Sequence, residues 1–177
     1  MVSLRDATPA DARDIATVHI ESWRVGYRGL LPDHVLDELS VEARQLWWHD
    51  TLAVPGRRST MLATDGETLL GFSAVGPGRD GDPAVGELYA MYLRSTAWGR
   101  GIGRLLHDAA MDRLLASGHL RASLWMLAGN ERALRFYRRS GWTVDGRSKL
   151  VTGPGGITMD HRGLSRRLAP PVSAEPC

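Results

Sequence analysis

The stretch Trp98-Gly99-Arg100-Gly101-Ile102-Gly103-Arg104 stands between two patterns of different period. Before it, Glu87-Leu88-Tyr89-Ala90-Met91-Tyr92-Leu93 forms a β-like run that begins at Gly86. After it, Ile102, Leu105, Leu106, Ala109, Ala110 and Leu114 recur at helical spacing until Gly118. A strand, a glycine turn and a helix in that order leave the first helical N–H groups unpartnered, with the positive end of the helix dipole beside the turn. Glycine accepts positive φ and lets a phosphate reach the backbone with no Cβ in the way. The turn therefore suits a phosphate or pyrophosphate, and Arg100 and Arg104 add charge at its mouth. Two common phosphate motifs fit poorly. A dinucleotide fingerprint needs glycine three positions after Gly101, where Arg104 stands, and a nucleotide P-loop needs a lysine that this stretch lacks. On these residues alone, a purely structural strand-to-helix turn stays open.

Outward from this unit the periods alternate. Residues 4–6 end a first strand, and Thr8, Pro9 and Asp11 supply a cap, a first-turn proline and a first-turn acid for a helix bearing Ile15, Val18, His19 and Trp23. A second helical region spans residues 32–52, broken near Ser40, with Trp47 and Trp48 expected in the core. Residues 59–64 and 68–75 form a hairpin through Asp65-Gly66, and residues 76–83 a loop. Farther on, residues 122–127 form a strand, residues 130–140 a helix stopped by Gly141, and residues 142–144 open another strand. Residues 149–168 read as a final hairpin turning at Pro154-Gly155-Gly156. This order predicts an α/β (α+β) fold, a mixed sheet covered by helices. One domain is expected over residues 1–168, with residues 169–177, which include three prolines, as a flexible tail.

The composition narrows the function classes. With 177 residues, 43% of them hydrophobic and 24% charged, the chain can bury a core of its own. Its 22 basic and 20 acidic residues nearly cancel, and the basic set is 21 arginines and the single Lys149, so nucleic acid is not an expected partner. Cys177 has no second cysteine to pair with. No apolar run approaches the ~20 residues of a membrane-spanning helix, no signal peptide is visible, and a cytoplasmic location away from membranes is expected. No histidine or cysteine cluster has metal-ligand spacing, so no metal is expected, and no Gly-x-Ser-x-Gly elbow offers a serine nucleophile.

Gly101 and Gly103 match the glycines of Gln/Arg-x-x-Gly-x-Gly/Ala, and the turn resembles this acetyl-CoA signature of the GNAT superfamily of N-acetyltransferases, with Trp98 in place of Gln or Arg. A second stretch, Asn130-Glu131-Arg132-Ala133-Leu134-Arg135-Phe136-Tyr137 followed by Ser140-Gly141-Trp142, resembles the superfamily's Asn-x-x-Ala-x-x-Phe-Tyr helix and its Gly-aromatic exit. Ala10-Asp11-Ala12, Glu21-Ser22-Trp23 and the run from Tyr27 to Pro32 are similar to the opening of many such enzymes. The resemblance covers roughly residues 2–168 and is strongest over residues 87–142.

The resemblance implies a mostly antiparallel sheet of six to seven strands flanked by about four helices. It also implies acetyl-CoA as cosubstrate, a small-molecule or peptide amine as acceptor, direct transfer in a ternary complex, and a homodimer. It places the backbone of Met91, Tyr92 and Leu93 against the pantetheine arm, and Trp98, Gly99, Arg100, Gly101, Ile102, Gly103 and Arg104 around the diphosphate. Asn130 bonds the coenzyme arm, caps its helix, or does both. Tyr137 is implied as the general acid, and the chemistry is sound, because a phenol with a pKa near ~10 can protonate a departing thiolate. An amine arrives protonated, and Glu87, on the strand beside the coenzyme, is the first candidate base, with Glu21, His34 and His49 behind it. Trp23, Tyr27, Tyr89 and Trp125 are candidate walls of the acceptor site, against a reading of each as core packing. A non-catalytic acyl-CoA sensor and a nucleotide-binding module are the competing functions.

Overall fold

The alternating stretches build a single seven-stranded sheet in a computed structural model that describes residues 1–54, 56 and 58–168. The expected tail lies outside the described residues. The strands are β1 (Val2–Asp6), β2 (Ser59–Asp65), β3 (Thr68–Pro77), β4 (Val85–Leu93), β5 (Arg121–Leu127), β6 (Thr143–Thr152) and β7 (Thr158–Arg167). Their order is β1-β2-β3-β4-β5-β7-β6, and only β4 and β5 run parallel. Parallel neighbours need a long crossover, and here the glycine turn and the helix after it supply it.

The helices are α1 (Ala12–Gly26), α2 (Asp33–Asp37), α3 (Val41–Leu52), α4 (Ile102–Ala116) and α5 (Glu131–Arg139). Their ends follow local chemistry. The Ser40 hydroxyl accepts from the Ala43 N–H at 3.1 Å and starts α3, and the Asn130 side chain does the same for α5 from the Ala133 N–H. Pro9–Asp11 forms a short 3₁₀ turn ahead of α1, where the Asp11 carboxylate accepts from the Thr8 N–H at 2.8 Å.

Two expectations need correction. Trp48 is fully buried, but Trp47 is 42% exposed, because adjacent helical positions point about 100° apart and one face of α3 cannot bury both. The last hairpin starts at Thr143 rather than at residue 149. Asp145-Gly146-Arg147 has turn composition, yet it is carried within β6 as an irregularity, with the pairing to β7 shifting between Val144 and Ser148.

The sheet is covered on both faces. Ala74 packs with Ile15, Ala16, Trp48 and Phe72 in the core under α1 and α3. Its neighbour Val75 packs with Ala110, Leu114, Leu134 and Trp142 in the core under α4 and α5. Each core contains one buried indole bonded to a buried imidazole. Trp48 Nε1 donates to His19 Nδ1 at 3.2 Å, and Trp142 Nε1 donates to His107 Nε2 at 2.9 Å. An imidazole nitrogen that accepts is unprotonated, so both rings are neutral. Burial, with a smaller push from Arg44, lowers the His19 pKa to about 3.

Unfolded histidine binds its proton near pH ~6.5 and folded His19 far lower, so acid favours the unfolded chain and stability falls from that pH downward. In urea unfolding at pH 7 and pH 5, the native chain should lose about 2 kcal/mol more than a His19→Gln variant. Equal losses would show that His19 takes its proton in the folded state.

Candidate active site

The site arises where β4 and β5 separate. The two strands pair only from Val85↔Arg121 to Leu88↔Leu124, although β4 continues to Leu93 and β5 to Leu127. On its other side β4 keeps pairing with β3 through Leu93↔Gly71, but the register shifts, with Val75 opposite Leu88 and Ala74 opposite Ala90. Tyr89 is therefore the extra residue of a β-bulge, which bends β4 away from β5. Along residues 89–93 the backbone groups facing β5 have no strand partner, and a ligand of extended shape can take that place.

A cavity of about 480 Å³ occupies this gap. Met91, Tyr92 and Leu93 form one side, and Asn130 and Tyr137 of the α5 segment form the other. Trp98, Gly99, Gly101, Gly103 and Arg104 close its end. Gly99 and Gly101 have φ of +73° and +80°, and a Cβ at either would meet nothing within 4 Å. The glycines are thus set by backbone twist, and the space beside them is open. The first N–H within α4 to find an intrahelical partner is that of Arg104, bonded to the Gly101 carbonyl at 3.0 Å, so the amides before it are available to an anion. An unpaired strand edge, free helical amides and an open glycine turn in one cavity fit a long ligand with a diphosphate.

Two residues expected around the diphosphate do not line this cavity. The Ile102 side chain is buried with Ala97 and Leu106 in the core below, leaving only its backbone for the turn, and Arg100 points to solvent. Arg104 lines the cavity with its charge shared with Asp108 at 2.6 Å. Trp98 donates from Nε1 to the Leu93 carbonyl at 3.3 Å, and the Arg132 guanidinium lies 3.2 Å from its ring centroid. Arg132 had no signal in the sequence beyond its place in the α5 motif. The stack ties the turn after β4 to α5.

Tyr137 is 8% exposed and its ring contacts those of Phe136 and Trp142. Burial, and after it the nearby Tyr92 phenol, push its pKa well above that of ordinary tyrosine, so the hydroxyl is protonated at neutral pH.

A second cavity, of about 770 Å³, lies against β4 and β5 from the α1 and α3 side. Trp23, Tyr27, Tyr89 and Trp125 all line it. Tyr27, Tyr89, Ala90, Tyr92 and Trp125 line both cavities, so the two meet at these residues. The Tyr27 and Tyr92 hydroxyls are 3.4 Å apart at this junction.

Glu87 lines neither cavity. It is 1% exposed, and its carboxylate accepts from Arg79 Nε at 3.0 and 3.1 Å and from the Arg79 N–H at 3.2 Å. Arg79 is the side chain that reaches the larger cavity. Of the other candidate bases, Glu21 is ion-paired with Arg94, and His34 and His49 are exposed outside both cavities. Among the described residues no three His, Cys, Asp or Glu side chains gather to hold a metal ion, and no helix is long and apolar enough to cross a membrane.

The parallel pair thus opens onto a glycine-led helix, with one gap beside β5 and an aromatic chamber on the α1 and α3 side. The model of the acetyltransferase (GNAT) family matches residues 18–142, and the chain belongs to that family. It is an acetyl-CoA-dependent N-acetyltransferase. The uncharacterized N-acetyltransferase YuaI of Bacillus subtilis is 31% identical over 140 residues, 78% of each chain. The mycothiol acetyltransferase of Rhodococcus jostii is 34% identical over 107 residues, which are 59% of this chain and 34% of that one. The fold is shared with the PaiA N-acetyltransferase of Thermoplasma acidophilum, solved in complex with coenzyme A, at a TM-score of 0.76 and 18% identity over 94% of this chain and 99% of that one.

The glycine turn can be tested by its backbone. Gly101→Ala places a side chain at φ +80° and should lower the unfolding free energy by about 1 kcal/mol. Gly103→Ala should cost less, because its φ is not in the left-handed region and its Cβ would meet Phe136 at an ordinary 3.5 Å. Denaturant unfolding of both variants checks the order, and equal losses would contradict it.

Proposed function

We propose that this enzyme holds acetyl-CoA in the gap between β4 and β5 and passes its acetyl group, within a ternary complex, to an amine that enters through the larger cavity. The observation that carries this reading is the set of residues common to both cavities, Tyr27, Tyr89, Ala90, Tyr92 and Trp125, because transfer requires two chambers that touch at one place. The pantetheine arm lies along residues 89–93 as an added strand, and the amides at the start of α4 receive the diphosphate. Bound acetyl-CoA supplies the acetyl group as an activated thioester.

Tyr137 gives its proton to the departing sulfur. A general acid must hold that proton until the sulfur leaves, and burial of Tyr137 keeps it there at all working pH values. Asn130 serves as helix cap through its oxygen and keeps its amide N–H₂ for the coenzyme arm. Trp23, Tyr27, Tyr89 and Trp125 wall the acceptor. The ammonium form of the acceptor gives its proton to water in that cavity. Glu87 takes part through Arg79, whose guanidinium it fixes at the wall, and reaches an acceptor only by way of that side chain and water.

Tyr137→Phe should lower kcat about a hundredfold while acetyl-CoA affinity is largely kept. Thiol release and calorimetry measure the two quantities, and an unchanged kcat would remove Tyr137 from the chemistry. Because its pKa is raised, kcat at saturating acceptor should show no alkaline fall up to pH 9.5. Glu87→Gln should reduce kcat/KM without moving the acid limb of the pH profile. A shifted limb would make Glu87 the titrating base.

A further inference from the structure

The charge in the acceptor cavity is one-sided. Arg44, Arg58, Arg79 and Lys149 line it, and Glu38 is the only carboxylate among its lining residues. The cations differ in how they are engaged. Arg79 is neutralised by Glu87 beneath it, and Arg58 lies over the Tyr89 and Trp47 rings. Arg44 stands beside the Trp47 ring at 5.5 Å, and Lys149 stands over Trp125 at 3.9 Å. Neither is within ion-pair distance of a carboxylate among the described residues, and burial is the largest influence on each, lowering both pKa values. The histidines of the cavity add no charge at neutral pH, since burial also lowers the pKa values of His19 and His161 and favours their neutral rings.

A partly desolvated cation without a counter-ion is unfavourable until an anion arrives, and a cavity lined by one sign of charge selects ligands of the other. An acceptor that is only a cation, such as a polyamine, meets repulsion here. Both unpaired cations also lie beside the junction with the cofactor gap. Arg44 acts electrostatically on Tyr92, and Lys149 covers Trp125, and each of these aromatics lines both cavities. An anion received by either cation leaves a neighbouring amine near the place where the acetyl group is delivered. The remaining wall is aromatic, with Trp23, Trp48 and Tyr27 among its residues, which suits an apolar body.

We propose that the acceptor is an amine carrying its own anionic group, a carboxylate in a compact, apolar amino acid, with Arg44 and Lys149 as the side chains that receive the anion. The proposal rests on the reading of the larger cavity as the acceptor site. The reaction remains simple acetyl transfer: the amine nitrogen forms the new bond to the acetyl carbon, the carbon–sulfur bond breaks, and the amine proton leaves to water as the thiolate is protonated.

The test compares matched pairs of acceptors that differ only in the anion, tryptophan against tryptamine and leucine against 3-methylbutylamine, with the aminophosphonate analogue of leucine as a third arm. Thiol release measures transfer, and calorimetry measures acetyl-CoA binding separately. The carboxylated member should be preferred at least tenfold in kcat/KM, and Arg44→Gln or Lys149→Gln should shrink that preference about tenfold, toward parity, mainly through KM. Acetyl-CoA affinity serves as the folding control for both variants, since neither residue lines the cofactor gap. A better rate with the phosphonate would support the anionic acceptor and replace the carboxylate by a phosphonate or phosphate. Equal or better rates with the plain amines, variants that affect both members alike, or no transfer to any member by protein that binds acetyl-CoA would each overturn the inference while leaving the coenzyme reading in place. Absence of acetyl-CoA binding would overturn the proposed function itself.

Discussion

Everything in this enzyme follows from the failure of two parallel strands to stay together. β4 and β5 hydrogen-bond for a few residues at the sheet's centre and then part, because Tyr89 is one residue too many for its pairing with β3. A buried backbone group must find a partner. Strand β4 therefore reaches its end with a row of donors and acceptors facing a gap, and the crossover from β4 to β5 has to pass over that gap. The crossover begins with glycines whose φ values turn the chain sharply and aim the first amides of α4 at the same space. A free edge and a helix start are two separate kinds of unmet bonding, and they converge on one cavity.

The second feature is how firmly the cofactor gap is framed. Trp142 is buried between α4 and α5, and its indole N–H is held by His107 of α4 while its ring touches Tyr137 of α5. Phe136 contacts both His107 and Tyr137. The helix proposed to meet the diphosphate and the helix that carries the proposed acid thus share one aromatic cluster, so a shift of either would disturb the packing of the other. On the outer side, the Arg132–Trp98 stack repeats this connection between the turn after β4 and α5. Tight packing of this kind resists small displacements, and proton transfer depends on reach of a few tenths of an ångström.

Much of the fold was legible because it is encoded locally. Ser40 and Asn130 announce their helices through a hydroxyl and an amide that bond three residues on, and the Asp65-Gly66 pair joins β2 to β3 with φ of +59° at Gly66. The cofactor gap was legible for the same reason, since a glycine turn between a strand and a helix carries its chemistry within one short stretch. What depended on distant partners was not visible. No local pattern reports the bulge at Tyr89, which exists only relative to the register of β3. The Glu87 carboxylate reads as a free acid on a strand until the loop between β3 and β4 brings Arg79 back over it. Trp47 and Trp48 look alike in sequence, and only the direction from which α1 packs on α3 separates the buried ring from the exposed one. The proposed acceptor chamber is the extreme case, since α1, α3 and the four strands β4, β5, β6 and β7 each contribute residues that mean little alone.

Lys149 gives the chamber one more property. It is the chain's single lysine among 22 basic side chains, and its depressed pKa leaves more of it as free amine near neutrality than an ordinary lysine would offer. An amine-directed fluorophore or spin label therefore has one side-chain target, seated over Trp125, whose ring quenching would report what enters beside it. The arginine-rich surface stays unmarked, and Lys149 shares such a label with the exposed terminal amine of Met1, held by Asp65.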